Sequence, residues 1–211
     1  MSLLGLVWAV FAPALLALAI VVLALMLRRF GVARAWMGAA ALVLLPVAAL
    51  YGSERREFSA LCDEIGLPVI HAKARTDGIL LVSDTSNSFG MRYLHAEGFA
   101  WMELRDIYKR DGWARAARDD KGDIALTPID APTARYEVRE THEQRGPAGI
   151  LRTQVFDRQT GVEMASGANA NFDGGRTKWL LGAWGVAHCP SAATQPDRFN
   201  AWYHLARNTL R

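Results

Sequence analysis

The chain has 211 residues, of which 51% are hydrophobic and 21% charged, and it contains two cysteines. This composition excludes a disordered chain, a collagen-like fibre and a cysteine-rich secreted scaffold. The formal charge of +3 does not indicate a nucleic-acid-binding protein, because Arg28, Arg29 and Arg34 account for the whole basic excess and residues 54–211 are neutral.

Two long uncharged segments, Leu3–Leu27 and Ala35–Ser53, open the chain. A helix needs about 20 apolar residues to cross the hydrocarbon core of a bilayer. The sequence therefore predicts transmembrane helices at about residues 3–27 and 35–52, which together form an anchor over residues 1–53. Because residues 28–34 form a short loop, we expect the two helices to be an antiparallel hairpin.

Arg28, Arg29 and Arg34 determine the predicted topology, because short loops rich in Lys and Arg stay in the cytoplasm. We expect loop 28–34 in the cytoplasm, both termini in the periplasm, and the protein integral to the lipid of a bacterial inner membrane. A cleaved signal peptide would have a basic N-terminus and a shorter apolar core. Arg28-Arg29-Phe30 resembles a twin-arginine signal, but it follows a full membrane span.

The two cysteines, Cys62 and Cys189, both follow the apolar segments. In an oxidising compartment they are expected to form a disulfide. Two buried free thiols, or a metal or catalytic site that uses His188 beside Cys189, are the alternatives. The sequence has no C-x-x-C motif and no second Cys–His pair to complete a zinc site, so we expect no metal and no cofactor.

Residues 54–211 are predicted to form a soluble periplasmic α+β domain. A helix is expected over Arg55–Ile65, where apolar residues recur at helical spacing, and another begins at Pro196. Phe99–Ile107 fits a strand or a helix. The predicted strands are Val69–Ala74, Ile79–Ser83, Trp113–Arg118, Asp123–Ile129, Ala134–Glu143, Gly149–Arg158 and Val162–Phe172. We expect an antiparallel β-sheet with helices at the start and end of the domain.

The most unusual local motif is Phe172-Asp173-Gly174-Gly175-Arg176-Thr177-Lys178-Trp179. Its two glycines favour a turn whose backbone amides can hold an anion, and the apolar stretch that follows can lie against the bilayer. A turn followed by a buried segment is the simpler interpretation. The candidate ligand or partner contacts are Gly174, Gly175, Arg176, Lys178, Trp179 and Trp184.

No catalytic signature is present in the sequence. The five histidines lack H-E-x-x-H spacing, and neither a G-x-S-x-G motif nor a phosphate-binding glycine loop occurs. Asp119, Asp120 and Asp123 are too few for a calcium loop and fit a solvated hairpin tip. We therefore expect no catalytic residues, although an enzyme remains among the alternatives.

Five features lie between residues 58 and 190: Phe58-x-x-Leu61-Cys62, the Tyr136–Glu143 strand, the Asp157–Gly161 turn, Phe172-x-Gly174-Gly175 and Cys189-Pro190. In these features the chain resembles uncharacterised bacterial inner-membrane and envelope proteins that have a two-cysteine periplasmic domain. The resemblance implies an envelope location and paired cysteines, and it implies no activity.

The expected function is that of a membrane-anchored periplasmic interaction or accessory domain of a bacterial envelope assembly. It would be non-catalytic, with a protein partner in the envelope and no nucleic acid. One alternative is a domain or enzyme that binds an envelope lipid or a peptidoglycan fragment near Gly174–Trp179. Another is a structural scaffold whose spans associate through small residues such as Gly38.

Overall fold

A computed structural model of the chain describes residues 3–31, 35–83, 90–105, 112–119 and 121–211. Two long helices come first, α1 (Leu3–Arg29) and α2 (Ala35–Ile65). The shorter helices that follow are α3 (Arg92–His95), α4 (Lys178–Leu181), α5 (Pro196–Tyr203) and α6 (Leu205–Leu210).

The described residues also contain nine strands, which belong to one sheet. The sheet order is β1-β8-β7-β6-β2-β3-β4-β5, and β9 pairs with β8. The strands are β1 (Val69–Ile70), β2 (Gly78–Ser83), β3 (Trp101–Arg105), β4 (Trp113–Arg118), β5 (Ile124–Ile129), β6 (Tyr136–Arg145), β7 (Ala148–Asp157), β8 (Val162–Phe172) and β9 (Ala187–Cys189). The predicted α+β class is confirmed.

The prediction of an antiparallel sheet is wrong for the centre of the sheet. Strand β2 runs parallel to both of its neighbours, with Gly78 opposite Trp101 of β3 and Leu80 opposite Glu137 of β6. Parallel neighbours require a long crossover rather than a tight hairpin, and α3 lies in the connection between β2 and β3. The pairs β3–β4, β4–β5 and β1–β8 are antiparallel, as expected.

Two pairs of predicted strands are adjacent in the chain and in the sheet. Strands β4 and β5 pair with Trp113 opposite Ile129. Strands β7 and β8 are joined by a turn in which the Gly161 amide donates to the Asp157 carbonyl over 2.8 Å, with Gly161 at a φ of +72°. The predicted strand Val69–Ala74 shortens to Val69–Ile70. After Ile70 the ladder becomes irregular, since the His71 and Ala72 amides both donate to the Met164 carbonyl, and the Ala74 amide then donates to the Thr209 carbonyl of α6.

Helix α2 is continuous from Ala35 to Ile65 and contains Pro46. The sequence had predicted a span ending near residue 52 and a separate helix over Arg55–Ile65, but Gly52 and Ser53 lie within one helix. In the described part of the chain this is the helix that is long and apolar enough to cross a membrane. The structure does not show the predicted transmembrane hairpin.

The chain divides into two compact units. The first contains Met1–Asp63, Gly146–Ala148 and Asn171–His188, and the second contains Glu64–Arg145, Gly149–Ala170 and Cys189–Arg211. In the first unit, the Phe172 ring packs against Phe58 and Tyr51, at centroid distances of 5.5 and 6.0 Å. The core of the second unit includes Ile79, Tyr93, Phe99, Met102, Val138, Leu205 and Leu210.

The predicted disulfide is confirmed. Cys62, near the end of α2, is bonded to Cys189 at the end of β9. The alternatives of two free thiols and of a metal-binding or reactive Cys189 are therefore wrong for this structure.

Candidate functional site

The predicted glycine motif forms a tight turn in the first unit. Gly174 and Gly175 adopt left-handed conformations, with φ values of +94° and +54°, and a single turn of 3-10 helix covers Gly175–Thr177. The Thr177 hydroxyl donates to the Gly174 carbonyl over 2.9 Å. The Asp173 carboxylate accepts the Gly175 amide over 3.2 Å. The turn is thus fixed by its own side chains as well as by its glycines.

The turn holds a carboxylate that belongs to the protein itself. Glu54 of α2 is 4% exposed. Its Oε2 accepts the Arg176 backbone amide over 3.0 Å, and its Oε1 accepts Arg176 Nε over 2.6 Å. A Cβ on Gly175 would collide with Oε2 and lie 2.8 Å from Cδ of Glu54. The predicted backbone anion site is therefore filled from within the chain.

Sequence reasoning did not identify Glu54 as part of this site. Its position directly after the apolar segment gives no sign that the side chain is buried. Helix α2 continues past Glu54 and places this carboxylate inside a folded unit. The burial of Glu54 follows from this continuation of the helix. A buried carboxylate needs hydrogen bonds to offset its desolvation, and Arg176 supplies two of them.

The outer side of the turn is available for contacts. Lys178 Nζ pairs with Asp173 Oδ2 over 3.1 Å, and both side chains are exposed. Trp179 is 60% exposed. Helix α4, which carries both Lys178 and Trp179, lies against α1. The Trp184 side chain falls outside the described part of the structure, so this predicted contact is not placed.

The other predicted metal candidates have ordinary structural roles. His188 Nδ1 lies 2.6 Å from Asn171 Oδ1. Asp119 Oδ1 accepts the amides of Lys121 and Asp123, as expected for a hairpin tip, and Asp120 lies outside the described residues. Across those residues, no group of three or more His, Cys, Asp or Glu side chains can hold a metal ion.

A buried charge cluster in the second unit was not predicted. Arg92 Nη2 donates to Glu140 Oε1 over 3.0 Å, and the Tyr93 hydroxyl donates to the same oxygen over 2.6 Å. Ser83 Oγ donates to the other oxygen of Glu140 over 3.1 Å. Arg92 Nε lies 3.6 Å from Glu97 Oε1, and both side chains are buried. One guanidinium is therefore shared between two buried carboxylates.

The two acids experience different environments. Burial raises the pKa of the Glu97 carboxyl to about 7, against the opposing effects of Arg92 and of the Arg207 amide. That amide donates to Glu97 Oε2 over 3.0 Å. Oε1 of Glu97 is buried with no hydrogen-bond partner among the described residues. Glu97 therefore changes charge near neutral pH.

Glu97 also lies at the surface of a cavity of about 690 Å³ in the second unit. The residues that line the cavity come from the segment after β1, the turn after α3, and α6. They are Lys73, Ala96, Glu97, Gly98, Arg207, Asn208 and Arg211. The cavity therefore combines three cationic side chains with one buried acid.

Comparisons with protein-family models, with curated proteins and with solved structures found no match to this chain. A functional proposal therefore depends on the geometry of these features.

Proposed function

We propose that this protein is a membrane-anchored, non-catalytic accessory component of a bacterial envelope assembly, with a periplasmic domain that binds a protein partner. The observation that carries the proposal is helix α2. Its first half exposes large apolar side chains, among them Trp36, Leu42 and Leu45, each more than 60% exposed. Its second half buries Glu54, Phe58 and Leu61.

An exposed apolar helical surface is unfavourable in water and favourable in lipid. One helix thus combines a surface suited to a bilayer with a surface suited to a folded unit. In the proposal α1 also spans the membrane, and α1 and α2 together form the hairpin. Loop 28–34 with its arginines then faces the cytoplasm. The Cys62–Cys189 disulfide supports an oxidising compartment such as the periplasm for the rest of the chain.

The partner surface that we propose lies at the β1 edge of the sheet, and we call it the β1 patch. It consists of Leu67, Val69 and Ile70, which are exposed by 64, 48 and 36%. Strand β1 ends the order of the sheet, so its outer edge has no neighbouring strand in the described structure. Exposed apolar side chains on an open edge are typical of a surface that another chain covers.

Affinity purification of the full chain in mild detergent tests this function. We expect a stoichiometric envelope protein to copurify with the wild type, and Val69→Asp to abolish the copurification. Leu126→Asp is the matched control, because Leu126 is 42% exposed on the edge strand β5 at the far end of the sheet. Recovery of the wild-type protein alone, in repeated purifications from native membranes, would contradict the proposal.

Compartment is tested separately by alkylating intact membranes before and after reduction and measuring the intact mass. We expect Cys62 and Cys189 to react only after reduction. Thiols that react without reduction would place the domain in a reducing compartment and invert the proposed topology.

The alternative function, contact with an envelope lipid at Gly174–Trp179, is favoured by one observation. Helix α4 lies against α1 and exposes Trp179 beside Lys178, a combination that suits a lipid headgroup. Quenching of tryptophan fluorescence by brominated lipid in nanodiscs tests it. Trp179→Phe should remove part of the quenched signal, and Trp113→Phe in β4 should not. Arg176→Ala is not a clean test, because Arg176 also neutralises Glu54.

A further inference from the structure

The cavity of the second unit has the size of a small-molecule site. Its volume of about 690 Å³ lies within the range of roughly 300–1,000 Å³ that is usual for ligand pockets. None of its lining residues belongs to the glycine turn or to the β1 patch, and the proposed function makes no use of it.

The backbone segments that carry the cationic residues of the cavity are hydrogen-bonded to neighbouring segments. The segment that carries Lys73 is bonded to α6, since the Ala74 amide donates to the Thr209 carbonyl over 2.9 Å and the Thr76 amide to the Leu210 carbonyl over 3.1 Å. The α6 backbone is in turn bonded to Glu97 through the Arg207 amide. The three chain segments that line the cavity are therefore joined to each other by direct hydrogen bonds.

Gly98 allows the third cation to approach. It has a φ of +77°, and a Cβ at this position would lie 2.9 Å from Nη1 of Arg211. The absence of a side chain at residue 98 thus leaves room for the Arg211 guanidinium against the backbone. Arg207 and Arg211 provide planar donor groups that match the oxygens of a phosphate, and Lys73 adds a point charge.

We propose that this cavity binds a small molecule that carries a phosphate group. Lys73, Arg207 and Arg211 neutralise the phosphate, and Glu97 sets the electrostatic potential beneath it. The phosphate can belong to a soluble ester or to a lipid headgroup, and the experiment below distinguishes these sources. The proposal is independent of the β1 patch and of the membrane topology.

The charge of Glu97 distinguishes binding of an anion in the cavity from a general attraction of anions to the basic surface. When its carboxyl is ionised it repels a bound anion, and when it is neutral it does not. The titratable and charged groups that act on Glu97 or line the same cavity are Arg92, Tyr93, Glu140, Arg207, Lys73 and Arg211. His204 interacts with the same two arginines, and burial together with Arg207 and Arg92 lowers its pKa.

Isothermal titration calorimetry on the full chain in a nonionic detergent tests the proposal. The probes are inorganic phosphate, glycerol 3-phosphate and dihexanoyl phosphatidic acid, with glycerol as the neutral control. We expect a single site for at least one phosphate ester. Lys73→Gln and Arg207→Gln should each weaken it at least fivefold. Lys121→Gln, which removes an exposed lysine at the β4–β5 hairpin tip, should leave it unchanged. Glu97→Gln should tighten binding several-fold at pH 8.

The source of the phosphate follows from the order of the affinities. Tighter binding of phosphatidic acid than of glycerol 3-phosphate supports the proposal with a lipid headgroup as ligand, and the reverse order supports it with a soluble ester. Heats no larger than those of glycerol for all three phosphates would overturn the proposal. Equal weakening by Lys121→Gln would also overturn it, because binding would then be a property of the whole surface. Weaker binding by Glu97→Gln would overturn it as well, because the carboxylate would then not repel the bound anion.

Discussion

Replacing Gly175 with alanine should destabilise the first unit far more than the same change at a glycine of similar conformation elsewhere. The reason is Glu54. Gly175 has a φ of +54°, and a methyl group there would occupy the position of Glu54 Oε2. The carboxylate would have to leave the Arg176 amide and Nε, its two hydrogen-bond donors in the turn.

The expected magnitude has two parts. A left-handed conformation costs an alanine about 1–2 kcal/mol, and a buried acceptor that loses its donors costs roughly 1–3 kcal/mol, or more when it is charged. Together they give about 2–5 kcal/mol for Gly175→Ala. For a chain of this size, 1 kcal/mol shifts the Tm by about 2–4 °C, so the variant should melt about 4–20 °C below the wild type.

Thermal unfolding of the full chain in detergent, followed by circular dichroism, measures this shift. Gly161→Ala is the matched control, since Gly161 has a φ of +72° and open space where a Cβ would lie. It should cost only the conformational part, about 1–2 kcal/mol. In a Glu54→Ala background, the added effect of Gly175→Ala should fall to the level of the control, because coupled residues are non-additive.

Two results would refute this reasoning. A Gly175→Ala variant that melts with the Gly161→Ala variant would show that Glu54 does not depend on the turn. An undiminished effect of Gly175→Ala in the Glu54→Ala background would show that the loss arises from another contact.

Three further predictions concern the second unit and the disulfide. Between pH 5 and 7 the wild type should lose up to roughly 3 kcal/mol of stability from Glu97, whose pKa rises from an ordinary 4.5 to about 7 on folding. Stability falls as the pH rises because the folded state binds more protons than the unfolded state in this range. Denaturant unfolding should therefore show a free energy of unfolding that depends less on pH for Glu97→Gln than for the wild type. Arg92→Met should cost about 3–5 kcal/mol, because it leaves Glu140 buried without its cation, and a variant of near-normal stability would contradict the cluster. Replacing both Cys62 and Cys189 with serine should lower the free energy of unfolding by about 4–5 kcal/mol in the chain-entropy model. Chemical denaturation measures this loss, and an unchanged midpoint of unfolding would contradict the prediction.

Local signals account for what could be predicted from the sequence. The β7–β8 hairpin is determined by Gly161 and its flanking alternating strands, so a window of about 20 residues contains the necessary information. The disulfide followed from there being two cysteines in the chain. The Gly174–Gly175 turn was visible because glycines next to each other mark backbone conformations that other residues avoid.

The unpredicted features depend on residues far apart in the chain. Glu54 and Arg176 are separated by 122 positions, and Arg92 and Glu140 by 48. The sequence does not show whether a charged side chain is buried with a partner or exposed to solvent, so composition and periodicity cannot distinguish the two situations. The parallel pairing of β2 was missed for a related reason, because strand direction depends on the crossover rather than on the strand's own alternation.

The unit that contains the Glu54–Arg176 pair also includes the apolar part of α2. The first compact unit contains α1 and α2 together with Asn171–His188, and within it Phe172 packs on Tyr51 as well as on Phe58. A fragment that began at residue 54 would keep Glu54 and Phe58 but lose Tyr51 and the helical residues that precede it. Part of the Phe172 ring would then face water. Helix α2 is therefore more than a candidate membrane span: its last turn before Glu54 supplies Tyr51 to the packing of the unit that holds the glycine turn.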